Sequence, residues 1–443
     1  MSFHWGERQL MHRNESTVST QLQRIGELAE SDFGRRFTSL AHLLTPSFLE
    51  ECFKRLNQRG AAGTDGVTMK EFKGALDERV AELHGELKSG RYRATSVRRT
   101  YIPKANGAMR PLGIPTVKDR LVQRAVGEIV STIYEPYFLD LSYGFRPGRS
   151  AHNALETLRK TVNKKNVRYV VEADIKSYFD TVNHEWMMKF LEHRIADRVI
   201  LKLVRKWLNA GYMEHGVVCR TEEGTPQGGP ISPLLANIYL HYVLDLWFEK
   251  KFRKSCRGEA ALVRYADDFV VCFEHHDEAE RFLKEMAGRF AAFNLELSAE
   301  KTRLIEFGKQ SVLNGTKGIA RVRKTFDFLG FTHYMRKRSK GYRLAVKPSA
   351  KSRNRFLAAV KKWLAENRER SVWYQVFSLK RKLLGYYHYF GLRHCKPSLA
   401  HVKFHVVRIL LMSLRRRGQK HYLWWHTFLN KPWVKILPDP ELR

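Results

Sequence analysis

Two apolar, β-branched runs in the middle of the chain carry acids at their ends, and this pattern constrains the fold more than any other feature. Residues 168 to 175, Arg-Tyr-Val-Val-Glu-Ala-Asp-Ile, read as a strand with Asp174 at its end. Residues 261 to 273, Ala-Leu-Val-Arg-Tyr-Ala-Asp-Asp-Phe-Val-Val-Cys-Phe, read as two strands about a turn at Asp267-Asp268, with Asp267 lying 93 residues beyond Asp174. Adjacent carboxylates repel each other and lose solvation when partly buried, so they are expected where a divalent cation neutralises them. Two Mg²⁺ ions about 3.5 to 4 Å apart are what such acids can hold, with Mn²⁺ a substitute. Taken alone, the dipeptide Asp267-Asp268 is more often an ordinary solvated hairpin turn.

Helical periodicity at 184–210, 233–253 and 277–293 brackets these strands and predicts an α+β unit with helices behind a sheet. From Gly63 to about Ser150 short segments are punctuated by Gly and Pro, and Asn106-Gly107 between Tyr101-Ile102 and Arg110-Pro-Leu112 reads as a hairpin turn. Residues 1–60 read as a helical N-terminal extension, with apolar positions at Leu40, Leu44, Phe48, Phe53 and Leu56. Beyond the cationic link Met335–Arg343, three amphipathic stripes predict a helical bundle: Phe356 to Leu364, Trp373 to Leu384, and Phe404 to Leu414. The expected division is therefore 1–60, 61–165, 166–345 and 346–443.

Lys and Arg number 79 against 45 Asp and Glu, a formal net charge of +34, and this excess points to a polyanionic partner, nucleic acid foremost. A membrane surface is the weaker candidate, because no run of eighteen apolar residues occurs. The N-terminal stretch lacks the apolar core of a signal peptide, so a cytoplasmic location is expected. Cys52, Cys219, Cys256, Cys272 and Cys395 form no Cys-x-x-Cys pair and are read as reduced thiols.

Three segments in order, Val171-Glu-Ala-Asp-Ile-Lys-Ser-Tyr-Phe-Asp180, Gly224-Thr-Pro-Gln-Gly-Gly-Pro-Ile-Ser-Pro-Leu-Leu-Ala-Asn-Ile-Tyr239 and Tyr265-Ala-Asp-Asp268, resemble the palm motifs of a reverse transcriptase. Further blocks are similar to those of the group II intron reverse transcriptase and maturase family. These are Ala61-Ala-Gly-Thr-Asp-Gly-Val67, Arg110-Pro-Leu-Gly-Ile-Pro115, Tyr143-Gly-Phe-Arg-Pro-Gly148, Leu297-Ser-Ala-Glu-Lys-Thr302, Phe328-Leu-Gly-Phe331 and Leu384-Gly-Tyr-Tyr-His-Tyr-Phe390. The resemblance implies a right-hand polymerase: fingers over 61–165, a palm with an antiparallel sheet and backing helices over 166–345, and an α-helical thumb or maturase X domain over 346–443.

Position by position, the resemblance implies Asp174 and Asp267 as principal metal ligands, Asp268 as a weaker one, and a contribution from the main-chain oxygen of Ile175. Phe179 corresponds to the residue beneath the incoming sugar, where a bulky ring collides with a ribose 2′-OH. Gln227 corresponds to a nucleotide contact, Lys104 and Arg110 to a clamp on the triphosphate, and Lys301 to a proton donor for departing pyrophosphate. Phe328–Phe331 corresponds to a primer grip. Arg415, Arg416 and Arg417 are expected to contact nucleic acid, whereas Tyr386, Tyr387, Tyr389 and Trp424 at helical spacing are expected to be largely structural.

The implied function is RNA-directed DNA synthesis on a primer–template duplex with dNTPs and two Mg²⁺, joined to binding of a structured intron RNA in splicing. A non-catalytic RNA-binding maturase is the rival from another class, and a reverse transcriptase domesticated for repair or defence shares the same motifs. No His-Asn-His endonuclease with cysteine pairs follows the thumb region in this sequence, so an endonuclease-lacking member is expected.

Overall fold

A computed structural model of the chain describes residues 5–103, 109–214, 217–219, 223–224, 228–309, 324–339, 341–417 and 423–442. Its strands are β1 (Val97–Pro103), β2 (Met109–Ile114), β3 (Tyr169–Asp174), β4 (Tyr212–Glu214), β5 (Val217–Cys219), β6 (Ala260–Tyr265), β7 (Asp268–Phe273), β8 (Arg303–Glu306), β9 (Phe326–Phe328), β10 (Phe331–Lys337) and β11 (Tyr342–Pro348). They form three sheets, ordered β2-β1-β4-β5, β6-β7-β3-β8 and β11-β10-β9. The second is antiparallel throughout and carries the acids.

Alternation along this central sheet sends its side chains into two different cores. Val171, Ala173, Leu262, Phe269, Val271 and Phe273 face one core, shared with the helices Ser232–Leu240 and His276–Ala292. Val170, Val263, Val270 and Cys272 face the other, shared with the helix Ala151–Lys164 and the C-terminal helices. Both faces are thus covered, which is why the strands read as continuous apolar runs rather than as alternating ones.

The 184–210 region, expected to be one helix, is two: His184–Glu192 and Arg198–Leu208. Asp197 divides them. Its Oδ1 accepts the backbone N–H groups of Val199 (2.8 Å) and Ile200 (3.1 Å), capping the second helix, while Oδ2 accepts those of Leu40 (2.7 Å) and Ala41 (2.9 Å). That second pair of bonds fastens the N-terminal segment to the body. The segment is no loose extension, since Phe48, Leu49, Cys52 and Phe53 of the helix Pro46–Lys54 are buried in the first core. The 233–253 pattern is a helix that widens into two π turns, His241–Asp245 and Phe248–Phe252.

The C-terminal bundle comprises Ala350–Glu366, Val372–Phe390 and Lys396–Arg415, the first two opened by Ser349 and Ser371 caps. Val360, Leu364, Val376, Leu379, Leu383, Val402, Val406 and Leu410 fill its interior, whereas Trp373, Leu384 and Phe404 of the expected stripes face solvent. No helix of the described residues is long and apolar enough to cross a membrane.

Candidate active site

The register of β3 against β7 pairs Asp174 with Asp268. Cross-strand partners have Cα atoms about 4.5 to 5.5 Å apart, so chain segments distant in sequence deliver their carboxylates to one end of the sheet. Tyr265 pairs with Asp268 across the hairpin, leaving Ala266 and Asp267 as a two-residue connection. Ala266 takes φ +57°, a left-handed conformation that suits the twist of tight hairpins and costs an L-residue about 1 to 2 kcal/mol. Gly144 lies directly against this turn: a Cβ there would sit 2.5 Å from the Ala266 nitrogen.

Burial pushes the Asp268 carboxyl up to about 7, with the charges of Asp174 and then Asp267 adding to the effect and the backbone N–H of Leu329 opposing it. Burial also raises Asp267, again with Asp174 contributing; its own backbone N–H, Arg110 and Lys301 pull in the other direction. Asp174 is ion-paired with Lys301 through Oδ2. No three His, Cys, Asp or Glu side chains form a ready metal cage among the described residues. The carboxylates that could hold a cation here are those of Asp174 and Asp267, which with main-chain oxygen make an all-oxygen set of the kind hard divalent ions take.

Ile175 is buried and bridges Leu297. The flanking bonds run from Ser298 N–H to the Asp174 carbonyl and from Lys176 N–H to the Glu296 carbonyl, both 2.9 Å, so neither uses the Ile175 carbonyl. The same bridge brings the Leu297–Thr302 segment, and with it Lys301, alongside Asp174. Phe179 is half-buried in the short helix Tyr178–Thr181, which the chain enters through Ser177 at φ +46°. Arg110, exposed on β2 opposite Ile102, is close enough for its charge to act on Asp267.

Lys104 and Gln227 lie outside the described residues. Beside Gln227, Gly228 at φ +120° presses on β2, where an added Cβ would meet the Gly113 carbonyl oxygen at 2.3 Å, in keeping with a glycine placed for close approach.

The Phe328–Phe331 turn was recognised in sequence, but its contact with the acids was not. Leu329, at φ +51°, has its N–H near enough to Asp268 to lower that carboxyl, and its carbonyl accepts the Tyr389 hydroxyl at 2.9 Å. Tyr386 and Tyr387 are buried, Tyr386 with its ring 4.4 Å from that of Phe356, while Trp424 is exposed. Arg415 donates from Nε to the Leu423 carbonyl (2.9 Å) and Arg417 from Nη2 to the Arg370 carbonyl (2.8 Å); Arg416 is exposed. These three share no element with the acids. Gly144 was also missed as a neighbour of the turn, its only sequence signal being a small residue inside Tyr143-Gly-Phe-Arg-Pro-Gly148.

Residues 102–333 match the model of the reverse transcriptase (RNA-dependent DNA polymerase) family. Protein YkfC of Escherichia coli strain K12 is 35% identical over 374 residues, covering 76% of this chain and 94% of that protein. The group II intron-encoded protein LtrA of Lactococcus lactis subsp. cremoris is 34% identical over 340 residues, 63% of this chain and 56% of LtrA, so the chain spans about half of that relative. A 91 kDa protein in the cob intron of Schizosaccharomyces pombe is 38% identical over 215 residues, 48% of this chain and 26% of that protein. Reverse transcriptase domains have a right-hand fold, work with divalent metal ions and act on RNA, and the mixed helix and antiparallel sheet seen here agrees with that architecture. With the ordered motifs, the paired acids and these relatives in hand, the chain belongs to the group II intron-encoded reverse transcriptase and maturase family.

Proposed function

We propose that this protein is an RNA-directed DNA polymerase that adds dNMP units to a primer 3′ end and also binds a structured group II intron RNA to assist its splicing and mobility. The observation that carries the reading is the cross-strand pairing of Asp174 with Asp268, which sets Asp267 beside Asp174 in a half-buried, all-oxygen cluster. In this reading residues 61–165 are fingers, 166–345 palm and 346–443 thumb.

Asp174 and Asp267, with the main-chain oxygen of Ile175, would hold two Mg²⁺ ions, Mn²⁺ substituting. Bound there, such a pair activates the attacking 3′ hydroxyl and stabilises the leaving pyrophosphate. The remaining work falls to the chain's own groups. Arg110 and Lys104 neutralise the triphosphate, the first through a planar fork of donors and the second as a point charge. Gln227 hydrogen-bonds the sugar or phosphate. Phe179 excludes a 2′-OH and so favours deoxynucleotides. Lys301, already ion-paired with Asp174, carries the proton delivered to departing pyrophosphate. Arg415, Arg416 and Arg417 track the phosphate backbone of the bound duplex or intron.

Primer extension on poly(rA)/oligo(dT) with Mg²⁺ tests the assignment. Wild-type protein should incorporate dTTP, and Asp267→Ala should lose synthesis by at least about a thousandfold while still binding RNA. Normal synthesis by that variant refutes the metal assignment.

A further inference from the structure

Arg264 lies in β6 one residue before Tyr265, and its side chain and that of Asp245 are both 0% exposed. A buried guanidinium demands partners for all five of its donors, and here each one is engaged. Nε and Nη2 grip the two oxygens of Asp245. Nη1 donates to Asn237 Oδ1 and to the Ala266 carbonyl, each at 3.0 Å, and Nη2 also reaches Ser142 Oγ at 2.7 Å. Asn237 in turn donates from Nδ2 to the Gly144 carbonyl at 2.6 Å. The backbone of Arg264 bonds the same neighbouring segment, accepting from Tyr143 N–H and donating to the Leu141 carbonyl.

Asn237 and Asp245 approach this one guanidinium from a single helical path. On a regular α-helix, positions eight apart are about 80° out of line. The wide turn at His241–Asp245 takes up that offset and aims Asp245 at Arg264.

Stability alone gives no reason for this arrangement, since a buried ion pair is often no better than apolar residues of similar volume. Its geometry offers one. The guanidinium ties the 141–144 segment and the 237–245 helix to the carbonyl of Ala266, the left-handed residue that immediately precedes Asp267. We infer that Arg264, oriented by Asp245 and Asn237, is a positioning residue that fixes the Ala266-Asp267 turn and thereby aims the Asp267 carboxylate. The inference rests on the catalytic reading of Asp267 given above.

The decisive variant combines Arg264→Met with Asp245→Leu, which removes both charges and strands neither. Expected are a Tm within a few degrees of wild type, retained primer–template binding, a kcat lower by about 100-fold with KM for dNTP unchanged, and faster amide hydrogen exchange at residues 266–268 in metal-free protein. Arg264→Lys, which keeps the charge but lacks the fork, should restore part of kcat at most. Wild-type kcat or unaltered exchange at the turn in the folded paired variant overturns the inference. Should the paired variant not fold, Asn237→Ala decides: a fall in kcat of about tenfold at unchanged Tm supports positioning, and unchanged kcat overturns it. Absence of primer extension by wild-type protein would sink the polymerase reading instead, and exchange at 266–268 would then still decide whether Arg264 orders the turn.

Discussion

At the Tyr265–Asp268 turn, neighbouring acids differ in their surroundings: burial holds Asp268 up near neutrality, whereas the charges of Arg110 and Lys301 offset part of the same effect at Asp267. The same scale governs Phe179, whose half-buried ring has its centroid 5.5 Å from that of Tyr178. In the proposed gate role this ring collides with a ribose 2′-OH. Phe179→Ala should therefore raise the rNTP to dNTP incorporation ratio by about tenfold or more, read by competitive primer extension; an unchanged ratio removes the gate role. His241 gives a second residue-scale expectation. Its imidazole is fully buried against Tyr137 and Phe138, neither nitrogen has a hydrogen-bond partner among the described residues, and burial reinforced by Arg264 and Arg146 holds it down to about 3. The unfolded chain binds that proton near 6.5, so stability from this site is full above about pH 6.5 and falls by about 1.4 kcal/mol per pH unit as the solution is acidified toward 3. His241→Phe should flatten this part of the acid unfolding profile, measured as Tm between pH 7.5 and 5.

At the scale of elements, the hairpin is held from outside as well as by its own register. Gly144 contributes a close approach that only a residue without Cβ allows, because the atom in the way is backbone and cannot rotate aside. Gly144→Ala is expected to displace the turn, lowering kcat by about 10- to 100-fold and stability by about 1 to 3 kcal/mol, measured by single-turnover extension and chemical unfolding. The break at Asp197 shows another kind of control: one carboxylate ends a continuous helical pattern by serving two chain segments at once. Periodicity could not reveal this, since the apolar spacing runs on through the break while the deciding partners, Leu40 and Ala41, lie 157 and 156 residues away.

For the molecule as a whole, the central sheet joins two cores, and the acids emerge at its end next to the β9–β10 turn. The net charge of +34 sets how this body meets its partner. If six to ten phosphates are contacted, affinity for a primer–template duplex should fall by about 10³ to 10⁵ between 50 and 200 mM salt. A flat log–log plot from filter binding or fluorescence anisotropy would contradict phosphate contact as the main source of affinity.

Much was legible in the linear chain because it depends on local chemistry: strand runs ending in Asp174 and Asp268, amphipathic stripes of the C-terminal helices, and a charge excess that calls for polyanions. The ordered motifs also carried the family. Tertiary structure alone decided that Asp174 stands opposite Asp268, that Lys301 pairs with Asp174, that Leu329 comes beside Asp268, and that Arg264 gathers Asp245, Asn237, Ser142 and Ala266 around one guanidinium. The physical reason is the same in each case. Periodicity records which face of an element is apolar, but a buried polar group is satisfied by whichever partner packing brings within about 3 Å, and that partner can come from any distance along the chain.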